Sequence, residues 1–307
     1  MSPTLLILTG PTAVGKTDLS IKLAQTWNTE IISCDSRQMY SEMSIGTAKP
    51  DSEQLELIPH HLVNNISIHD YYSAYRFEQD VIRILEKLFL QHSLVIMTGG
   101  TGLYMDAIIN GIDDIPDPDP IIRAKLKERL DSDGISSLLE ELSHLDPDFF
   151  TKVDQKNPAR VMRGLEVCLT TGRSFSSFRI KQAVKRHFSI ILTGLEMPRE
   201  LLYERINLRV DQMIEKGLAE EAENLYPFRN LNGLNTVGYR EFFELYDGTI
   251  DFDETVRLIK RNTRHYAKRQ ITWNNRYPQI RYFSPQAIEE LTNWIGSAMD
   301  DQDKNHG

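Results

Sequence analysis

The hydrophobic positions near the start of the chain form a short continuous run that leads into a glycine-rich segment. TLLILT (4–9) is apolar between its terminal threonines, which predicts a strand buried on both faces. A helical pattern from Lys16 to Trp27 follows, and then a second apolar run, EIISC (30–34). The order strand, glycine loop, helix, strand predicts parallel strands joined by a right-handed crossover.

The same alternation continues along the chain. Apolar residues at helical spacing predict an amphipathic helix over about 72–91, and LVIMTGG (94–100) predicts another buried strand. HFSIILTGLEM (187–197) predicts a further strand, the longest helix is expected over about 253–274, and QIRYF (279–283) predicts a last strand. These elements together predict an α/β protein with a parallel sheet.

One segment interrupts this alternation. DDIPDPDP (113–120) contains three prolines and four aspartates, a composition that continues neither a helix nor a central strand. Beyond it the sequence is polar and helical up to about residue 185. We therefore predict an inserted helical domain over residues 113–186, within an α/β core formed by residues 1–112 and 187–307.

Composition indicates an ordinary globular protein. Of the 307 residues 40% are hydrophobic and 26% are charged, and no apolar run approaches the roughly 20 residues that span a bilayer. The first residues resemble a strand rather than a secretory signal, so we expect a cytoplasmic protein with no membrane association. Two cysteines, Cys34 and Cys168, lie far apart, which argues against a disulfide scaffold or a zinc site.

The distribution of charge changes the picture that the net charge of −9 gives. The segment from Lys156 to His187 contains eight lysines and arginines and one acid, Glu166. The segment from Arg257 to Arg276 contains seven lysines and arginines and no acid. Two concentrated basic segments on an acidic chain favour a polyanionic partner, and the alternative is a pair of solvated helix faces.

A phosphate-binding loop follows the first predicted strand. GPTAVGKT (10–17) has the spacing G-x-x-x-x-G-K-[ST], an ATP-binding motif whose glycines let backbone N–H groups converge on phosphate oxygens. Lys16 adds a positive charge, and the Thr17 hydroxyl is a typical Mg²⁺ ligand. The strand LVIMTGG ends without the carboxylate that a nucleotide hydrolase needs. The first acid after a core strand is Asp35, a candidate base or magnesium partner if it is not simply a strand-end cap.

Seven blocks of this sequence, taken in order, resemble the tRNA dimethylallyltransferases, also called tRNA isopentenyltransferases. The resemblance extends over about residues 4–276. DSRQMY and YAKRQITW are far more specific to this family than the phosphate loop is. The blocks are GPTAVGKT, DSRQMY, IGTAKP, PHHL, GGTGLY, NPARVMRGLEV and YAKRQITW.

The resemblance implies a P-loop NTPase-like parallel sheet core with an inserted helical domain, and a prenyl transfer that uses Mg²⁺. The donor would be dimethylallyl diphosphate, and the acceptor N6 of the adenine 3′-adjacent to the anticodon in tRNAs that read codons beginning with U. In that family the inserted helical domain grips the anticodon stem-loop. Oligomeric state is not implied, and we expect a monomer because one flipped base needs one channel.

The resemblance also implies roles for individual residues. Asp35 would be the general base and Thr101 would orient the reacting amine, since an adenine amino group is a poor nucleophile. The leaving diphosphate would be held by Mg²⁺ on Thr17, by Arg209 and by the loop residues Gly10, Pro11, Thr12, Ala13, Val14, Gly15, Lys16 and Thr17. The tRNA would be contacted by Asp35, Ser36, Arg37, Gln38, Thr101, Arg123, Arg160, Arg163, Lys268, Arg269, Gln270 and Trp273.

Other interpretations use the same motifs. A small-molecule P-loop kinase would place ATP in the loop and a hydroxyl near Asp35, but it has no need of YAKRQITW or the basic C-terminal helix. An NTP-binding RNA-binding protein without transferase chemistry leaves Asp35 and Thr101 unexplained. For Trp273 and Tyr266, base stacking and core packing both remain open. The chain departs from the family at Met39 and Pro158.

Overall fold

The computed structural model describes residues 2–180 and 184–306. The chain forms two compact units. The core unit comprises Met1–Tyr72, Gln79–Ile109 and Lys185–Gly307, and the helical unit comprises Ser73–Glu78 and Asn110–Val184. The predicted boundaries, 113 and 186, lie within three residues of these, but the prediction did not assign residues 73–78 to the helical unit.

A sheet of six parallel strands forms the centre of the core unit, in the order β3-β2-β4-β1-β5-β6. The inner strands are buried on both faces, which explains their continuous apolar runs. This sheet confirms the predicted α/β class. The strands are β1 Thr4–Thr9, β2 Ile31–Ser33, β3 His60–His61, β4 Leu94–Thr98, β5 Ser189–Leu195 and β6 Arg281–Phe283.

The helices agree with the sequence pattern where that pattern was strongest. The helix expected over 72–91 spans Ala74–Leu88, and the one expected over 253–274 spans Phe252–Asn274. No helix in the described residues is long and apolar enough to span a membrane. The helices are α1 Lys16–Trp27, α2 Ser52–Leu57, α3 Ala74–Leu88, α4 Gly102–Asn110, α5 Pro120–Asp133, α6 Ile135–Leu145, α7 Pro147–Phe150, α8 Pro158–Thr171, α9 Arg199–Glu215, α10 Leu218–Leu225, α11 Arg240–Tyr246, α12 Phe252–Asn274 and α13 Ile288–His306.

Proline and capping residues divide the helical unit into its helices. Asp119 caps α5 by accepting hydrogen bonds from the N–H groups of Ile121 and Ile122, and Pro120 occupies the first turn. The segment DDIPDPDP, at which the composition changes, therefore ends at the start of α5. The unit has its own apolar centre, in which Gly164 makes room for the Phe149 ring, since a Cβ there would lie 2.6 Å from it.

Glu221 on α10 holds the loop after residue 43 in place. Its carboxylate accepts hydrogen bonds from the backbone N–H groups of Ser44, Ile45 and Gly46 at 2.8–3.0 Å, and from the Tyr239 hydroxyl at 2.6 Å. Gly46 lies against the Tyr239 ring, which a Cβ would approach to 2.6 Å. One side chain therefore fixes a loop that regular secondary structure does not fix.

We expect Glu221→Ala to lower the free energy of unfolding by about 3 kcal/mol, because it leaves backbone donors of that loop without their charged acceptor. The matched control is Glu220→Ala, which removes an exposed neighbour on the same helix and should change stability by less than about 0.5 kcal/mol. Urea denaturation of both variants measures the difference. Equal stability of the two would contradict the anchoring role of Glu221.

Candidate functional site

The glycine loop joins β1 to α1 at the carboxyl edge of the sheet. Gly10 and Gly15 have φ values of +147° and +108°, which residues with a side chain rarely adopt. A Cβ on Gly10 would also lie 2.8 Å from the carbonyl oxygen of Leu195 on β5. Because α1 begins directly at Lys16, its N-terminal N–H groups and the positive end of its dipole lie at the loop. This geometry suits a bound phosphate.

Lys16 is the central cation of this loop. Its Nζ donates hydrogen bonds to the carbonyl oxygens of Gly10, at 2.9 Å, and Pro11, at 2.8 Å. Burial and the nearby Arg209 guanidinium lower the pKa of Lys16 to about 7, and the negative charge of Asp35 opposes that decrease. A bound anion would favour the charged form of this amine.

The loop forms one wall of a cleft of about 920 Å³. Asp35 and Gln38 line it from the segment after β2, Gly99 and Gly100 from the turn after β4, and Arg209 from α9. Parallel strands end at the same edge of the sheet, so this edge brings together segments that lie far apart in the sequence. The cleft therefore contains both the phosphate loop and the predicted base.

Asp35 and Thr101 are brought together by a close approach of the two strand ends. The Thr101 N–H donates to the Cys34 carbonyl oxygen at 3.1 Å, and its hydroxyl accepts from the Ser36 N–H at 2.9 Å. Asp35 Oδ1 accepts from the Arg37 N–H at 2.9 Å. Backbone hydrogen bonds thus hold both predicted reaction residues at the adjoining ends of β2 and β4, and Asp35 lines the cleft that contains the phosphate loop.

Tyr266, on the inner face of α12, lies in the same cleft beside Gly100. Its hydroxyl is 3.5 Å from the Gly100 carbonyl oxygen. Burial and the nearby Asp35 carboxylate raise the pKa of Tyr266 well above its usual value, so this hydroxyl stays protonated. The sequence leaves the role of Tyr266 open between base stacking and core packing, and in the structure Tyr266 lines the cleft.

Two arginines of α9 face the loop. Arg209 donates to the Ala48 carbonyl oxygen at 3.5 Å, and burial lowers its pKa although Asp35 lies nearby. Arg205 Nη2 lies 3.6 Å from the place where a Cβ on Gly15 would stand, and it lines the same cleft. Sequence reasoning missed Arg205. Its spacing of four residues from Arg209 puts both on one helix face, which is the signal that would have found it.

Gln38 has polar partners within the protein. Its Nε2 donates to the carbonyl oxygens of Thr47 and Ala48, at 3.4 and 3.2 Å, and its Oε1 accepts from the Ser33 hydroxyl at 3.0 Å. The predicted contact of this amide with a base would therefore compete with these bonds. Ser36 and Arg37, in the same segment, are partly exposed.

The residues of α12 that are predicted to contact tRNA lie on two different faces of the helix. Lys268 and Arg269 are exposed, and the Arg269 guanidinium lies 5.6 Å from the centre of the Tyr266 ring. Gln270 is buried, and Trp273 donates from its indole nitrogen to Asp106 at 3.0 Å. The ring of Trp273 packs against Gly102, where a Cβ would come within 2.4 Å.

The predicted tRNA residues of the helical unit also differ in their surroundings. Arg123 and Arg163 both pair with the buried carboxylate of Glu166, at 3.1 and 2.8 Å, and Arg163 also donates to the Pro116 carbonyl oxygen. Arg160 is exposed in the first turn of α8. Glu166, the single acid of the basic segment 156–187, thus binds Arg163 of that segment and Arg123 of α5.

The residues of the cleft fit a magnesium ion that is held mainly by a phosphate ligand. Among the described residues, no group of three His, Cys, Asp or Glu side chains could hold a metal by itself. Thr17, Asp18 and Asp35 line the cleft, and their side chains contain a hydroxyl and two carboxylates. Mg²⁺ commonly takes one or two protein oxygens and completes its shell with phosphate oxygens and water.

A phosphate loop on a parallel sheet, with a carboxylate lining the same cleft, is the arrangement of a P-loop NTPase-like enzyme. Residues 38–277 match the family described as IPP transferase. The chain is 47% identical to tRNA dimethylallyltransferase 1 of Bacteroides fragilis, over 96% of this chain and 98% of that protein. The chain belongs to the IPP transferase family, and its enzyme class is that of the tRNA dimethylallyltransferases. The predicted family membership is confirmed.

Two solved structures resemble the fold over nearly the whole chain. The tRNA isopentenylpyrophosphate transferase of Bacillus halodurans is 34% identical, with a TM-score of 0.72 and coverage of 100% of this chain and 99% of that one. A eukaryotic dimethylallyltransferase described as acting on tRNA is 28% identical, with a TM-score of 0.76 and coverage of 99% and 80%. The predicted P-loop NTPase-like core is therefore confirmed.

The lowered pKa of Lys16 predicts how diphosphate binding depends on pH. In the free protein the amine loses its proton as pH rises through about 7, whereas a bound diphosphate favours the protonated form. Binding above pH 7 should therefore take up close to one proton. Affinity should fall by up to about tenfold for each pH unit, until the pKa of the bound state is reached.

Isothermal titration of an alkyl diphosphate between pH 7.5 and 9, in buffers of different ionisation enthalpy, measures this uptake. A terminal phosphate ionises at about pH 6, so the ligand itself does not titrate in that range. Lys16→Arg, which stays charged, is the control and should take up no proton at this position. Wild-type binding without proton uptake would contradict the prediction.

Proposed function

We propose that this enzyme transfers a dimethylallyl group from dimethylallyl diphosphate to N6 of the adenine 3′-adjacent to the anticodon, in tRNAs that read codons beginning with U. The observation that carries the proposal is the position of Asp35 and Thr101. Asp35 lines the cleft beside the phosphate loop, and Thr101 directly follows Gly100, which also lines it. Hydrogen bonds to the backbone hold both residues at neighbouring strand ends. A base and a diphosphate clamp are thereby available to one reaction.

The reaction makes one bond and breaks another. N6 attacks the allylic carbon, the carbon–oxygen bond to the diphosphate breaks, and its electron pair leaves with the diphosphate. Asp35 takes the proton that N6 loses, and the Thr101 hydroxyl orients the amine. The delocalised lone pair of an adenine amine makes such a base necessary.

The leaving diphosphate needs positive charge directed at its oxygens. The loop N–H groups, Lys16 and Arg209 supply that charge within one cleft, and Arg205 adds to it. Thr17 would hold a magnesium ion, which would supply further neutralisation of the charge on the leaving group. The loop thus serves to bind a leaving group rather than to drive hydrolysis.

The acceptor base must leave its stack to reach this cleft. The exposed Lys268 and Arg269 on α12 supply phosphate contacts for the RNA, and Arg160 supplies one from the helical unit. Arg123 and Arg163 reach the RNA only in competition with Glu166.

Incubation with Mg²⁺, dimethylallyl diphosphate and unmodified tRNA, followed by digestion and nucleoside analysis, tests the proposal. The tRNA should carry adenines on both the 5′ and the 3′ side of its anticodon. We expect N6-prenylated adenosine only on the 3′ side. Absence of the product, or equal prenylation of free AMP, would refute the proposed reaction. Phosphate transfer from ATP to a small hydroxyl compound would instead support a kinase.

Asp35→Asn should retain tRNA binding and lose turnover by the roughly 10²–10⁴-fold that a general base contributes. The amide keeps an oxygen that can accept the hydrogen bond from Arg37, but it takes no proton from N6. Single-turnover transfer rates and tRNA dissociation constants separate the two effects. Unchanged turnover would remove Asp35 from the catalytic role.

A further inference from the structure

We propose that Gln270 is a positioning residue that fixes the phosphate loop relative to the turn carrying Thr101. This inference rests on the proposed function and concerns the geometry of the same reaction. The family resemblance places Gln270 among the tRNA contacts. In the structure the side chain is only 7% exposed and points into the protein from α12, whereas the adjacent Arg269 is exposed.

The side-chain amide of Gln270 makes two hydrogen bonds that join separate parts of the site. Its Oε1 accepts from the Thr12 N–H in the phosphate loop at 2.7 Å. Its Nε2 donates to the Gly100 carbonyl oxygen, one residue before Thr101, at 3.0 Å. An amide satisfies one N–H and one carbonyl only in a single orientation, so this contact fixes the distance between the two segments.

The surroundings of Gln270 leave it little freedom to move. A Cβ on Gly100 would lie 2.0 Å from Nε2, so Gly100 lacks a side chain where the amide passes. One turn later on α12, Asn274 accepts a hydrogen bond from the Thr9 hydroxyl at 3.2 Å, and both residues are buried. The inner face of α12 is therefore fastened to the ends of β1 and β4 at successive turns.

The spacing that Gln270 sets is the spacing between donor and acceptor. The loop containing Thr12 holds the diphosphate, and Thr101 orients the amine that attacks. Group transfer needs the reacting atoms about 3–3.5 Å apart and aligned, and a displacement of about 1 Å can cost roughly 100-fold in rate. Loss of the bridge should therefore lower kcat more than it affects binding of tRNA.

Two substitutions test this role by steady-state and single-turnover kinetics with tRNA. Gln270→Ala removes both hydrogen bonds, and the nearly isosteric Gln270→Glu keeps the acceptor for Thr12 but loses the donor to Gly100. We expect each to lower kcat by about 10–100-fold, with the tRNA dissociation constant within about twofold of wild type. Arg269→Ala is the matched control, and its main effect should be weaker tRNA binding with a smaller salt dependence.

A double-mutant cycle with Gly100→Ala supplies a readout that general destabilisation does not reproduce. The new methyl group collides with the Gln270 amide, so Gly100→Ala alone should lower kcat in the same way. When residue 270 is already alanine, the collision is absent and the second substitution should add less than about twofold. Thermal melts show whether each variant is folded. If Gln270→Ala does not fold, the kinetics of Gln270→Glu provide the test.

The outcomes separate this inference from the proposed function. A wild-type enzyme that prenylates no tRNA overturns both. An active wild type, with Gln270 variants that weaken tRNA binding and keep kcat, makes Gln270 an RNA contact and overturns the inference alone. Additive effects of the substitutions at residues 100 and 270 also overturn it.

Discussion

The site depends on the contact between the ends of β2 and β4. Gly99 lies so close to the Cys34 carbonyl group that a Cβ there would be 2.2 Å from its oxygen. This approach allows the Thr101 N–H to reach the same carbonyl, and the Thr101 hydroxyl to reach the backbone of Ser36. Asp35 lies between these two contact points. The position of Asp35 relative to the turn after β4 is thereby set by close backbone contacts and by the Thr101 hydroxyl.

Electrostatic strain accompanies this geometry. Lys16, Arg205 and Arg209 share a partly buried cleft, and like charge together with burial lowers the pKa values of Lys16 and Arg209. Asp35 offsets part of this effect. A bound polyanion would stabilise these charged groups, because a diphosphate supplies negative charge that Asp35 supplies only in part.

The sequence predicted the fold well because the sheet is parallel. Strands buried on both faces are continuous apolar runs, and the glycine loop has a fixed spacing, so β1, α1, β4 and α12 could be read directly. The segment 73–78 escaped prediction because nothing in the periodicity of α3 marks a change of unit within the helix.

The chemistry of the site was less accessible from the sequence than the fold. The family motifs named Asp35, Thr101 and the loop, but a motif does not tell which way a side chain points. Gln270 and Arg269 are adjacent in one basic motif, yet one is buried and the other exposed. In the sequence Glu166 is one negative charge among eight positive ones, whereas in the structure it is buried and pairs with Arg123 and Arg163.

The bridge made by Gln270 has a consequence for the order in which the enzyme is assembled. Thr12 and Gln270 are separated by 258 positions in the chain, and Glu221 is about 175 positions from the loop that it anchors. During synthesis the phosphate loop leaves the ribosome long before its partners exist. For most of translation the nascent chain therefore contains the whole phosphate loop but lacks Gln270, which bridges it to the turn after β4. The site can be completed only after the C-terminal third of the protein has been synthesised.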